Sequence, residues 1–128
     1  MSKHSLGVSN GKLAPMPRSP NAVGTHTDQE SKRVADLAMI GSVTETKQHI
    51  LACLQKMGGN VVQSETDTYV HAVFTTRLMR FKDDVEFYID EANQQVHFRS
   101  ASRVGHSDLG ANRKRYNAFR ALYQQKSS

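Results

Sequence analysis

The stretch of this chain best equipped for chemistry runs from Arg99 to Arg115. It reads Arg99-Ser100-Ala101-Ser102-Arg103-Val104-Gly105-His106-Ser107-Asp108-Leu109-Gly110-Ala111-Asn112-Arg113-Lys114-Arg115. Two glycines supply backbone conformations that other residues avoid. Ser107, Asp108 or Gly110 can cap a helix that starts at Ala111. A helix start presents free N–H groups at the positive end of its dipole, and arginines beside it suit a phosphate or carboxylate. The residues that would hold such an anion are Arg99, Arg103, Ser107, Asp108, Asn112 and Arg113. The competing reading is internal. Asp108 or a strand acid then takes the place of the anion, and the arginines only fix the loop.

A second group is Asp83, Asp84 and Glu86. Asp84 and Glu86 share a strand face, and Asp83 points away unless a bulge re-aims it. Two carboxylates therefore work together. They orient the arginines, or they serve as acid and base on an anionic substrate held by Arg99 and Arg103. Acid–base work needs a pocket and a shifted pKa, and the sequence shows neither. Ser107 beside His106 is a poor nucleophile pair, because adjacent residues rarely face one another and no nucleophile elbow surrounds them. No metal or cofactor is expected. His4, His26, His49, His71, His97 and His106 show no ligand spacing. His71 and His97 share a predicted face but lie roughly 10 Å apart, two strands away. The one cysteine, Cys53, reads as a core thiol.

The elements that must position these residues follow from periodicity. Ser42 and Glu45 fit a capping box for a helix from Val43 to Met57, with Ile50, Leu51, Leu54 and Met57 as its buried stripe. Gly58-Gly59 ends it. Strand candidates are Asn60 to Thr66, Tyr69 to Leu78, Asp84 to Asp90 and Gln95 to Ser102. Short turns between them imply antiparallel neighbours. A last helix runs from Ala111 to about Gln125 and buries Tyr116, Phe119, Leu122 and Tyr123.

Alternation sorts the strands into faces. Val70, Ala72, Phe74, Val85, Phe87, Ile89, Val96 and Phe98 belong under the helices, with Phe74 opposite Phe87 and Phe87 opposite Phe98. The other face carries Tyr69, His71, Thr75, Arg77, Asp84, Glu86, Tyr88, His97 and Arg99. In that register Arg77 sits opposite Asp84, and Thr75, Glu86 and Arg99 form a row. This face reads as a solvated surface laced with ion pairs or, alternatively, as a polar groove.

Composition narrows the class. The chain has 128 residues, enough for one domain. Lys plus Arg is 17 and Asp plus Glu is 12, a formal net charge of +5. The basic stretch Arg113-Lys114-Arg115 with Arg120 reads as a solvated helix face, so nucleic acid is not the expected partner. No apolar run approaches the roughly 20 residues that span a bilayer. The N-terminus lacks the apolar segment of a secretory signal, so a cytoplasmic location is expected. Residues 1–34 are rich in Ser, Asn, Gly, Pro and Lys and read as an extended, partly flexible arm ahead of a domain over 35–128.

The chain resembles the bacterial and plant family called domain of unknown function 1499. The segments Phe81-Lys82-Asp83-Asp84-Val85-Glu86-Phe87 and Arg99 to Arg115 carry the match, with Tyr69-Val70-His71-Ala72 and the element Ser19-Pro20-Asn21. Many members have a cysteine on each side of Ser-Pro-Asn. Met16 and Ala22 stand there in this chain, so a disulfide or metal role for that pair does not apply. Many relatives are exported or membrane-anchored. The resemblance brings no function with it.

The expected architecture is α+β: a two-layer sandwich with a four-stranded antiparallel meander and two helices packed on one face. The expected function is non-catalytic binding of a small anionic ligand or acidic partner. The alternatives are an enzyme using Asp84 and Glu86, and a structural or interaction protein with no ligand.

Overall fold

Helix α1 spans Val43–Met57 and opens on the expected capping box. Ser42 Oγ accepts from Glu45 N at 3.1 Å, and Glu45 Oε1 accepts from Ser42 N at 2.8 Å. Gly58, at φ +68°, takes the chain out of the helix. Thr46, Ile50, Cys53 and Leu54 are its buried residues. Helix α2 spans Ala111–Gln124, starts after Gly110 at φ +81°, and buries Asn112, Tyr116, Phe119 and Tyr123. The computed structural model describes residues 6–17, 21–77, 80–103 and 110–125. Among these no helix is long and apolar enough to cross a membrane.

Among the described residues, eight strands accompany the helices. In chain order they are β1 (Val8–Ser9), β2 (Lys12–Leu13), β3 (Ala22–Gly24), β4 (Leu37–Ala38), β5 (Asn60–Thr66), β6 (Tyr69–Thr75), β7 (Lys82–Asp90) and β8 (Gln95–Ser102). The main sheet runs β3-β8-β7-β6-β5, with β4 also paired to β8, and β1 and β2 form a separate hairpin. The α+β class and the antiparallel meander β5 to β8 stand. The expectation of four strands is corrected to six in the main sheet plus the two-stranded hairpin. Strands of two or three residues are too short to show alternation, so periodicity passes over them. Their order comes from tertiary pairing. Ala22 to Gly24 lie opposite Ala101 to Arg99, and Leu37 lies opposite Val96.

The faces follow the alternation, but one register does not. Phe87 lies opposite Phe98 as expected. Opposite Phe87 on β6 is Val70, and Phe74 lies opposite Asp83. The β6–β7 pairing is thus displaced by four residues (Phe74 to Val70). The cause is the connection. β6 ends at Thr75, and just beyond it Thr76 N donates to Phe81 O at 2.8 Å and Phe81 N to Thr76 Oγ1 at 2.8 Å. Arg77 therefore lies beyond the strand, and Val73 faces Asp84. A shift by an even number keeps every side chain on its face.

The core lies between the sheet and the helices. Phe87 packs against Phe98 and Phe119 with centroids 5.3 and 4.7 Å away. All three are essentially buried. Two phenols stitch α2 to the segment before α1: Tyr123 donates to Ala38 O at 2.6 Å and Tyr116 to Ala35 O. β5 forms one edge of the sheet, and its register shifts between Val62 and Ser64 at a bulge.

The centre of the opposite face, with His71, Asp84, Glu86, His97 and Arg99, is not solvated. The N-terminal segment lies across it. Asn10 and Gly11, both at positive φ, close the β1–β2 hairpin. Gly7 N then donates to Glu86 on β7 at 2.6 Å, and Pro15 O accepts from Arg99 on β8 at 3.1 Å. The reading of this face as a water-exposed ion-pair surface is corrected by that cover.

Phe119→Ala is expected to cost about 3–5 kcal/mol in urea denaturation, as a buried aromatic leaving a cavity. Ser42→Ala is expected to cost about 1 kcal/mol, the loss of a helix cap.

Candidate functional site

β7 places acids alternately above and below the sheet, and each meets its own cations. Asp83 is on the helix side. Its Oδ2 lies 2.8 Å from Arg115 Nη2 on α2, an ion pair without an aligned hydrogen bond. The Arg115 guanidinium also sits 4.7 Å from the Phe74 ring centroid, and its Nη1 donates to Asn112 Oδ1 at 2.7 Å. Asn112 reaches the N-terminal segment through Nδ2, which donates to Asn21 O at 2.9 Å and to Ser102 Oγ at 3.0 Å. Ser100 Oγ donates to Asn112 Oδ1.

Asp84 and Glu86 are on the arm side. Asp84 accepts from His71 Nε2 at 2.8 Å and, in a two-pronged contact, from Arg103 Nη2 at 2.9 Å and Nε at 3.0 Å. Burial alone would raise its pKa. The hydrogen bonds from Arg103 and His71 outweigh burial and hold the carboxyl below the ordinary range. Arg103 is pushed up in turn by its bond to Asp84. Glu86, with no solvent exposure, accepts from Tyr69 Oη at 2.5 Å and Gly7 N at 2.6 Å, with Arg99 Nη1 at 3.5 Å. Burial and the bond to Glu86 push the Tyr69 phenol far up, so it remains a donor at physiological pH.

The sequence-predicted residues thus divide. Asp84, Glu86, Arg99 and Arg103 lie together on the arm side, with His71 and Tyr69 completing the group. Asn112 lies on the helix side with Asp83 and Arg115. Arg113 is exposed on α2 and donates to Ser31 O at 2.7 Å. The structure therefore does not bring Asn112 and Arg113 together with Arg99 and Arg103. Ser107 and Asp108 lie outside the described residues, as do His106, Ser19 and Pro20.

A cavity of about 560 Å³ opens where the arm meets the sheet edge, beside this layer. Lys12, Pro15, Met16, His26, Asp28 and Arg33 are among its walls. That volume is within the usual range for small-molecule sites. Among the described residues, Lys12 and Arg33 have no carboxylate oxygen within 4.0 Å, whereas Arg99, Arg103 and Arg115 each have one. Burial and the neighbouring His97 lower the pKa of His26, which keeps its ring neutral. Among the described residues, His26, which also walls this cavity, Asp36 and His97 could hold a metal, with ligand atoms within 4.8 Å of one another. Neither the cavity nor this trio has a sequence signal, since both depend on β3 and β4 pairing with β8.

A family model described as "Protein of unknown function (DUF1499)" matches residues 12–122 of the chain. The matched stretch begins at the first residue of β2, so it includes the main sheet and leaves Gly7 and β1 outside. No curated protein and no solved structure matches the chain.

Because the folded-state pKa of Asp84 is depressed, its contribution to stability is full above the unfolded value of about 4 and is lost as pH falls through the folded value. Arg103→Gln leaves the buried carboxylate with His71 as its remaining side-chain partner. It is expected to destabilise the fold by about 1–3 kcal/mol at neutral pH. The acid-unfolding midpoint should move to higher pH, as followed by circular dichroism.

Proposed function

The chain belongs to the DUF1499 family, and from that premise we propose that it is a non-catalytic binding module for a small anionic ligand. The ligand lies in the cavity between the arm and the sheet edge. The observation that carries this reading is the pair Lys12 and Arg33: two cations that wall a cavity of about 560 Å³ without a carboxylate partner among the described residues. With Asp28, the charged walls sum to +2 − 1 = +1. Charge-assisted hydrogen bonds to a phosphate or carboxylate suit such walls.

In this reading Arg99, Arg103, Asp84 and Glu86 are the frame, with Asn112 a separate support on the helix side. Their charges are directed at one another, and an anion would have to displace a buried carboxylate to reach Arg99. Glu86 is fully covered and Asp84 is held ionised by two donors. A covered carboxylate is out of a substrate's reach, and a carboxyl held ionised does not suit a general acid. The frame keeps the arm in place, and the arm supplies Lys12 to the cavity.

Thermal-shift screening of the full chain against inorganic phosphate, nucleotides and small carboxylates, with EDTA present, tests the proposal. A ligand near saturation should raise the melting temperature by roughly several degrees. Lys12→Ala and Arg33→Ala should each weaken that ligand by about 10–100-fold while leaving the unliganded melting temperature unchanged. An undiminished shift in the Lys12→Ala/Arg33→Ala double variant, or no shift with any of these anions, overturns it.

A further inference from the structure

The outer edge of β8 is paired twice, by β3 and by β4, and the chain between them leaves the sheet. β3 ends with Gly24 opposite Arg99, and β4 starts with Leu37 opposite Val96. The excursion over residues 25–36 therefore leaves from and returns to the two sides of His97. His26 sits near its start and Asp36 at its end. The His26 and His97 ring centroids are 3.8 Å apart. One ligand atom from each of His26, Asp36 and His97 lies within 4.8 Å of the others.

His97 is set up in a further respect. It is 1% exposed, and its Nε2 lies 3.0 Å from Asp90 Oδ2. A carboxylate only accepts, so Nε2 carries the proton. The lone pair is then on Nδ1, which is buried without a hydrogen-bond partner. An imidazole with one nitrogen anchored by a carboxylate and the other free has the arrangement found behind metal-bound histidines. A buried polar atom left unsatisfied is costly unless something occupies its lone pair.

We propose that His26, Asp36 and His97 form a binding site for a divalent transition-metal ion such as zinc. Two imidazole nitrogens and one carboxylate oxygen suit zinc and its first-row neighbours and do not suit calcium or magnesium, which take all-oxygen sets. Three atoms no more than 4.8 Å apart share a centre no more than about 2.8 Å from each, which a small rotation of the two exposed side chains would need to shorten to the roughly 2.0–2.2 Å of zinc ligands. His26 and Asp36 are exposed, so the remaining coordination positions face solvent and the cavity that His26 also walls. The site does not depend on the identity of any anion in that cavity.

Calorimetric titration of the full chain with zinc chloride tests it, together with the visible absorption of the cobalt(II) form. Saturable zinc binding is expected, with no response to magnesium. His26→Ala and Asp36→Asn should each weaken zinc by more than about tenfold. Both positions are exposed, so the apo melting temperature should not change and misfolding does not obscure the result. His49→Ala, on α1, should leave the affinity intact. Absence of saturable zinc binding overturns the proposal, as does unchanged affinity in the His26→Ala/Asp36→Asn double variant.

Discussion

A carboxylate with no access to water must be met by donors or opposite charge from wherever the chain can bring them, and Glu86 draws on three separate regions. Tyr69 comes from the neighbouring strand, Arg99 from the strand on the other side, and the Gly7 amide from the arm nearly eighty residues away. Burying such a charge alone would cost several kcal/mol, so its position is tolerable only with those donors in place. The covering of the sheet follows from this requirement. An antiparallel sheet ordinarily leaves one face to solvent. Here that face holds Asp84, Glu86, His71, His97 and Arg99, and the arm closes over it.

Asp83 and Asp84 show the same demand in the smallest space. They are adjacent in sequence and on opposite faces of β7, and each is held by an arginine from beyond the strand's hairpin partner: Arg115 for one, Arg103 for the other. The helix layer and the segment after β8 are thereby fastened to neighbouring points of a single strand. Such pairs add little net stability over an apolar equivalent, but breaking one leaves a charge stranded. They favour one arrangement of the layers over others.

Much of the frame was legible because it is local. Ser42 and Glu45 announce α1, and alternation from Tyr69 to Arg99 assigns faces correctly even where the β6–β7 register is displaced. What could not be read depends on distant pairing. β3 and β4 carry no periodic signal in two or three residues. The β1–β2 hairpin did have a cue, since Asn10-Gly11 is a strong type I′ turn signal, but an Asn-Gly pair does not say which surface its hairpin will cover. Asp84, Glu86 and Arg99 were recognisable as one polar group from strand parity, and Arg103 joined them from the loop reading. The pairing of Asp84 with Arg103 rather than Arg77, and the separation of Asn112 onto the other side, required the three-dimensional register. His26, Asp36 and His97 have no regular spacing, and only the double pairing along β8 gathers them.

That double pairing has another effect. A sheet margin offers a row of unused backbone donors and acceptors, and such rows invite edge-to-edge association and fibril growth. β3 and β4 occupy that row on β8. The other margin, β5, is interrupted by the bulge between Val62 and Ser64 and carries the Glu65 carboxylate, paired with Lys47 at 2.7 Å. A break in the ladder and a charge on the rim are the means by which natural sheets refuse a strand from a neighbouring molecule. Val61, 63% exposed on that margin, can therefore face water without nucleating aggregation.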